Sequence, residues 1–127
     1  VLLAKLTVFD EEIDARRVVA ERYDRCLGAV EAVTIPRIGH HTSSVYAQYT
    51  LRVVQRDRFV AFLRDHGIPT AVHYPLSLHL QPALADPDAV LPECEAAAAQ
   101  VVSLPMHPYL SAEDQERIRG VISSFDP

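Results

Sequence analysis

Lysine is nearly missing from this chain: Lys5 is the only one in 127 residues. A lysine that forms a Schiff base must be desolvated and held against a carbonyl. Lys5 instead sits in an opening helical pattern among leucines and valines, with no polar partner in view, and reads as a snorkelling surface residue. Glycine is scarce as well, and none of the four has the spacing of a phosphate-cradling loop. No GxSxG elbow offers a nucleophilic serine. The two cysteines, Cys26 and Cys94, make no spaced motif and read as reduced structural thiols, which points to the cytoplasm. Val1–Leu6 is interrupted by Lys5 and lacks the pattern of a signal peptide. Basic charge is in deficit: 12 Lys+Arg stand against 17 Asp+Glu, with no basic stripe, so nucleic acid is not an expected partner. Apolar runs are too short to cross a bilayer, so no membrane partner is expected. His40 and His41 are adjacent in a loop pattern, where neighbours point apart, and no third ligand has the spacing to complete a metal site.

What is present reads as one soluble domain, with 49% hydrophobic and 23% charged residues. Leu2, Leu6, Phe9, Ile13, Ala20, Tyr23 and Leu27 recur at helical steps, interrupted by Arg16, and predict one long helix stopped by Gly28. Thr34–Ser44 reads as a loop and Val45–Val54 as a strand. Arg56–Gly67 returns to helical spacing with Gly67 as a left-handed stop. Ile68–Tyr74 and Val101–Pro105 read as two further strands. Between them lie a long connection carrying Pro75, Pro82, Pro87 and Pro92, and an alanine-rich helix over Glu93–Gln100. Ser111 and Asp114 resemble a capping box that opens a last helix with an Ile118, Val121, Ile122 and Phe125 face. The expected class is α/β, a small three-stranded sheet flanked by helices. The opening without methionine, in full helical stride, suggests that the true start lies upstream.

His73, Tyr74, His79 and His107 form the one constellation that stands out. Each imidazole or phenol could find its hydrogen-bond partner within the core or in solvent. Alternatively, His73 and Tyr74 close a strand just before a proline-stiffened loop, where side chains on a rigid base can face a cleft. There a histidine and a phenol suit a polyoxygenated ligand such as a sugar or a phosphate. Met106, His107, Pro108 and Tyr109 end the next strand in a comparable way, which suggests a shared rim.

Three separated stretches, SVYAQYTLRV (Ser44–Val53), GIPTAVHYPLSLHLQPAL (Gly67–Leu84) and VVSLPMHPYLSAEDQERI (Val101–Ile118), resemble the carboxy-terminal part of the DegT/DnrJ/EryC1/StrS sugar aminotransferases. Within that family the nearest resemblance is to the branch that aminates UDP-linked N-acetylated 3-keto-uronic acids for O-antigen. The resemblance implies a pyridoxal-phosphate enzyme of the aspartate aminotransferase fold (fold type I). Such an enzyme moves an amino group, commonly from glutamate, onto a keto-sugar nucleotide, and acts as a homodimer.

On this basis residues 1–28 are the end of the long interdomain helix and 29–127 the small carboxy-terminal domain. The cofactor-binding domain, with its lysine, is absent, and the chain alone is expected to hold no cofactor and catalyse nothing. His73 and Tyr74 match the pair that reaches the nucleotide sugar, while His79 and Gln81 fall where they would shape the loop or brace those contacts. Two other identities fit the same residues: a free-standing α/β module that binds a ligand or protein without catalysis, and a purely structural dimerisation half.

Overall fold

The computed structural model describes residues 2–127, in which five α-helices surround a two-stranded antiparallel sheet. The elements run α1 (Leu2–Leu6), α2 (Phe9–Leu27), β1 (Tyr49–Arg52), α3 (Arg56–Asp65), α4 (Pro92–Gln100), β2 (Val101–Leu104) and α5 (Ala112–Ser123). A single 3-10 turn, Leu78–Leu80, interrupts the long connection before α4.

The single opening helix of the sequence is two. Thr7 Oγ1 donates to the Ala4 carbonyl at 2.8 Å, and the Val8 amide reaches only three residues back, to Lys5. A threonine hydroxyl bonding its own backbone competes with the helical ladder, and here it marks the break. Only the second half of the apolar stripe is buried: Val19, Ala20, Tyr23 and Leu27 enter the core, while Leu2, Leu6 and Phe9 stay exposed. Gly28 caps α2 with right-handed geometry. A side chain there would meet the Asp24 carbonyl at 2.7 Å, so close approach dictates this glycine.

The expected strand Val45–Val54 is formed only at Tyr49–Arg52. Upstream, Tyr46 has φ +46°, its amide donates to Ser44 Oγ, and its carbonyl accepts from the Arg16 guanidinium. Those groups are satisfied by side chains, so no ladder forms there. β1 pairs with β2 in the register Tyr49 with Leu104 through Arg52 with Val101.

The expected strand Ile68–Tyr74 contracts to one antiparallel bridge, Ala71 with Ser103, in which each amide donates to the other's carbonyl. Pro69 has no amide to give a ladder. A matching bridge joins Thr34 to Arg52 on the other edge. The cross-section is therefore Thr34, β1, β2, Ala71. The three-stranded sheet of the sequence is a two-stranded one flanked by single bridged residues.

Two further helix ends form by the signals read in the sequence. At the end of α3 the Gly67 amide donates to Arg64 and that of Ile68 to Leu63, with Gly67 at φ +70°, a Schellman stop. At the start of α5 the Asp114 amide donates to Ser111 Oγ at 3.0 Å, and the Ser111 hydroxyl donates in turn to Asp114 Oδ2. The core lies between α2, the sheet, α3 and α5. Phe59, Leu51 and Leu63 are fully buried there, each side chain contributing about 1.5–3 kcal/mol. Phe125, just past α5, closes the core by packing edge-on against Phe59 with ring centres 5.1 Å apart.

Candidate functional site

Sheet register decides where the singled-out residues fall. Ala71 is opposite Ser103 in an antiparallel bridge, so the chain leaving toward His73 runs back alongside Val101. Met106 to Tyr109 leave β2 at its other end, beyond Leu104. The two aromatic and imidazole clusters therefore sit at opposite ends of the sheet, and the shared rim read from their similar strand ends does not form.

The Met106–Tyr109 end is tied to α2. Arg16, the residue that interrupts the apolar stripe, donates to the carbonyls of Tyr46 and Met106. The Tyr23 hydroxyl donates to the Pro105 carbonyl at 3.0 Å. Glu12 accepts from Lys5 Nζ at 2.6 Å and from the Tyr109 hydroxyl at 2.8 Å. These two bonds, Lys5 first, hold the Glu12 carboxyl below its usual range. Lys5 is exposed as expected but does have a polar partner, seven residues on. His107 is exposed.

At the opposite end, residues 73–91 and α4 enclose an open cavity of about 730 Å³. Leu76, Leu78, Leu84, Leu91 and Ala97 belong to its apolar wall, and His73, Tyr74, Ser77, His79, Gln81, Asp86 and Cys94 supply its polar groups. His73 and Tyr74 are both exposed, joined by a cis peptide, with ring centres 6.2 Å apart. Tyr74 keeps 76% of its surface in solvent, so its hydroxyl is open to a ligand.

His79 takes the contrary position: it is buried, and its Nε2–H donates to Glu95 Oε1 at 3.2 Å. Gln81 is half-buried and its amide donates to the Leu76 carbonyl at 3.5 Å, within the same loop. Glu95 and Cys94 were not among the candidate site residues. In the sequence Glu95 is one of two acids in a helix's first turn, and the only clue to more is that this helix follows the histidine-bearing loop.

His40 and His41 are exposed, and among the described residues no group of three or more His, Cys, Asp or Glu could hold a metal ion. Cys26 and Cys94 are free, and burial pushes the Cys26 thiol up. Among the described residues no helix is long and apolar enough to cross a membrane. The only lysine, on α1, is not among the residues lining the cavity.

The chain is 52% identical over 110 residues to the UDP-2-acetamido-2-deoxy-3-oxo-D-glucuronate aminotransferase of Pseudomonas aeruginosa, covering 87% of this chain and 30% of that enzyme. It is 38% identical over 130 residues to a pleiotropic regulatory protein of Geobacillus stearothermophilus, covering 98% of this chain and 35% of that protein.

Among solved structures, a DegT DnrJ EryC1 StrS aminotransferase from Brucella abortus superposes with a TM-score of 0.87 at 40% identity, over 96% of this chain and 33% of that one. S. venezuelae DesV, solved in complex with a ketimine intermediate, superposes with a TM-score of 0.92 at 30% identity, over 99% and 36%. These neighbours are aminotransferases of fold type I, and the chain spans about a third of their length. The profile of the DegT/DnrJ/EryC1/StrS aminotransferase family matches residues 1–123, and the chain belongs to that family.

Proposed function

We propose that this chain is the carboxy-terminal, substrate-orienting lobe of a homodimeric aminotransferase that moves an amino group from glutamate to a keto-sugar nucleotide. The substrate class we assign is a UDP-linked, N-acetylated 3-keto-uronic acid. One observation carries the proposal: His73 and Tyr74 both stand exposed at the edge of the 730 Å³ cavity. They do so in a chain 52% identical to a relative named for aminating UDP-2-acetamido-2-deoxy-3-oxo-D-glucuronate. An imidazole and a phenol there offer hydrogen bonds to sugar hydroxyls and to a carboxylate or phosphate.

Enzymes of this family use pyridoxal phosphate, which when bound serves as an electron sink. The residues of this chain do not fit that group by themselves. Its one amine is exposed on α1 and paired with Glu12, whereas a Schiff base needs a desolvated amine facing a carbonyl. We therefore assign the cavity no chemical step. Its residues bind and orient the sugar and shield it from water, a contribution of position and not of proton transfer.

The test is His73→Ala in the intact gene product that carries this chain. Losing a hydrogen bond to a charged or polar ligand group raises KM for the sugar nucleotide about tenfold or more. The half-reaction with glutamate keeps its rate. Equal damage to both half-reactions refutes the assignment.

A further inference from the structure

The connection from Pro75 to Val90 is almost self-contained. Its backbone bonds run Leu80 to Ser77, Gln81 to Leu78, Leu84 to Gln81, Asp86 to His79 and Ala89 to Asp86, all inside the loop. Its side-chain bonds from Gln81 to Leu76 and from the Asp88 amide to Asp86 stay inside it as well. Among the described residues one hydrogen bond leaves this stretch, from His79 to Glu95. The donor ring is buried, on the 3-10 turn at the middle of the loop's cavity face, and the acceptor lies in the first turn of α4. His79 lines the cavity together with His73 and Tyr74, and Glu95 follows Cys94, which lines it from α4.

From this geometry we infer that Glu95 and His79 are positioning residues: their bond is the polar tether that fixes the loop against α4 and so sets the width of the sugar-facing cavity. It acts through the loop and does not touch substrate. Leucines elsewhere in the loop hold it loosely, since apolar contact is non-directional. A charge-assisted bond from a buried ring sets distance and direction. Its consequence is one-sided. Loosening the tether weakens capture of the large sugar nucleotide, while a small amino donor is unaffected. This inference rests on the sugar-nucleotide function proposed above.

The test uses the intact gene product with Glu95→Ala, Glu95→Gln, His79→Gln and the double variant His79→Gln/Glu95→Ala. Glu95 is half in solvent on a helix surface, so its substitution spares folding. Glu95→Ala should raise KM for the UDP-sugar about tenfold and leave that for glutamate within about twofold. Glu95→Gln, which keeps an acceptor oxygen, restores most of the affinity. The double variant is no worse than Glu95→Ala alone, because both break one bond.

Hydrogen exchange gives a readout independent of turnover: amides of residues 78–91 exchange faster in Glu95→Ala, while those of α2 and α5 do not. Unchanged loop exchange, or equal rises in both KM values, overturns the tether. If the wild type aminates no sugar nucleotide, the function proposed above fails. The tether then stands or falls on exchange alone.

Discussion

Raising the pH should unfold this chain in a way that two tyrosines dominate. Tyr23 and Tyr49 are completely buried, with ring centres 4.8 Å apart. Burial pushes the Tyr23 hydroxyl far above the ordinary tyrosine range. Burial first, and then its 2.7 Å bond to Asp24 Oδ1, does the same to Tyr49. In the unfolded chain both ionise near pH 10. Above that pH the unfolded state holds fewer protons than the folded one, so stability falls as pH rises; below it the contribution is fully present. Each tyrosine costs about 1.4 kcal/mol per pH unit, about 2.7 kcal/mol for the pair once pH is well past 10.

Urea denaturation at pH steps from 8 to 11 measures this directly, with the Tyr23→Phe/Tyr49→Phe variant as control. The variant starts lower at pH 8. It loses a bond to a carboxylate worth about 1.5–3 kcal/mol and one to a carbonyl worth about 0.5–1.5 kcal/mol. It then declines less steeply, and the two curves converge. Lys5, Cys26, Tyr46 and Tyr109, also shifted upward, are common to both proteins and cancel. Parallel curves would refute the reasoning. So would phenolate absorbance showing all five tyrosines of the folded chain ionising together near pH 10.

Two local substitutions test the helix ends by thermal unfolding. Ser111→Ala removes the cap that accepts the Asp114 amide and should cost about 1 kcal/mol, whereas Ser111→Asp keeps an acceptor and most of the stability. Gly67→Ala should cost about 1–2 kcal/mol for the left-handed backbone. The new methyl meets only the flexible end of Arg117, at 3.4 Å, so Gly67→Asn should recover part of the loss.

Signals confined to a few neighbouring residues were readable from the sequence, and so were the family and the helical cover of the sheet. The Gly67 stop, the Ser111 cap and the α5 face with Phe125 need only adjacent residues to specify them. Strand lengths were not readable, because long-range side chains set them. Arg16 on α2 takes the Tyr46 carbonyl 30 residues away, and Ser44 takes its amide. Hydrophobic alternation continues through Val45 and Ala47 regardless, with nothing local to mark where the ladder ends.

The exposure of Leu2, Leu6 and Phe9 was equally invisible, since periodicity reports a face and not what covers it. At the cavity, the pairing of His79 with Glu95 joins residues 16 apart across a proline-rich loop. The opposite placement of His73 and His107 follows from strand direction, which residue types at strand ends do not encode.

The tapered sheet has a consequence for how the chain meets copies of itself. Each strand has four residues, and by alternation only two of them turn their backbone groups to the outer edge. One of those two is already occupied on each side, Arg52 by Thr34 and Ser103 by Ala71. No run of open amides and carbonyls is left to recruit an incoming strand. Among the described residues, fibril-like growth by strand addition therefore has no template from which to begin.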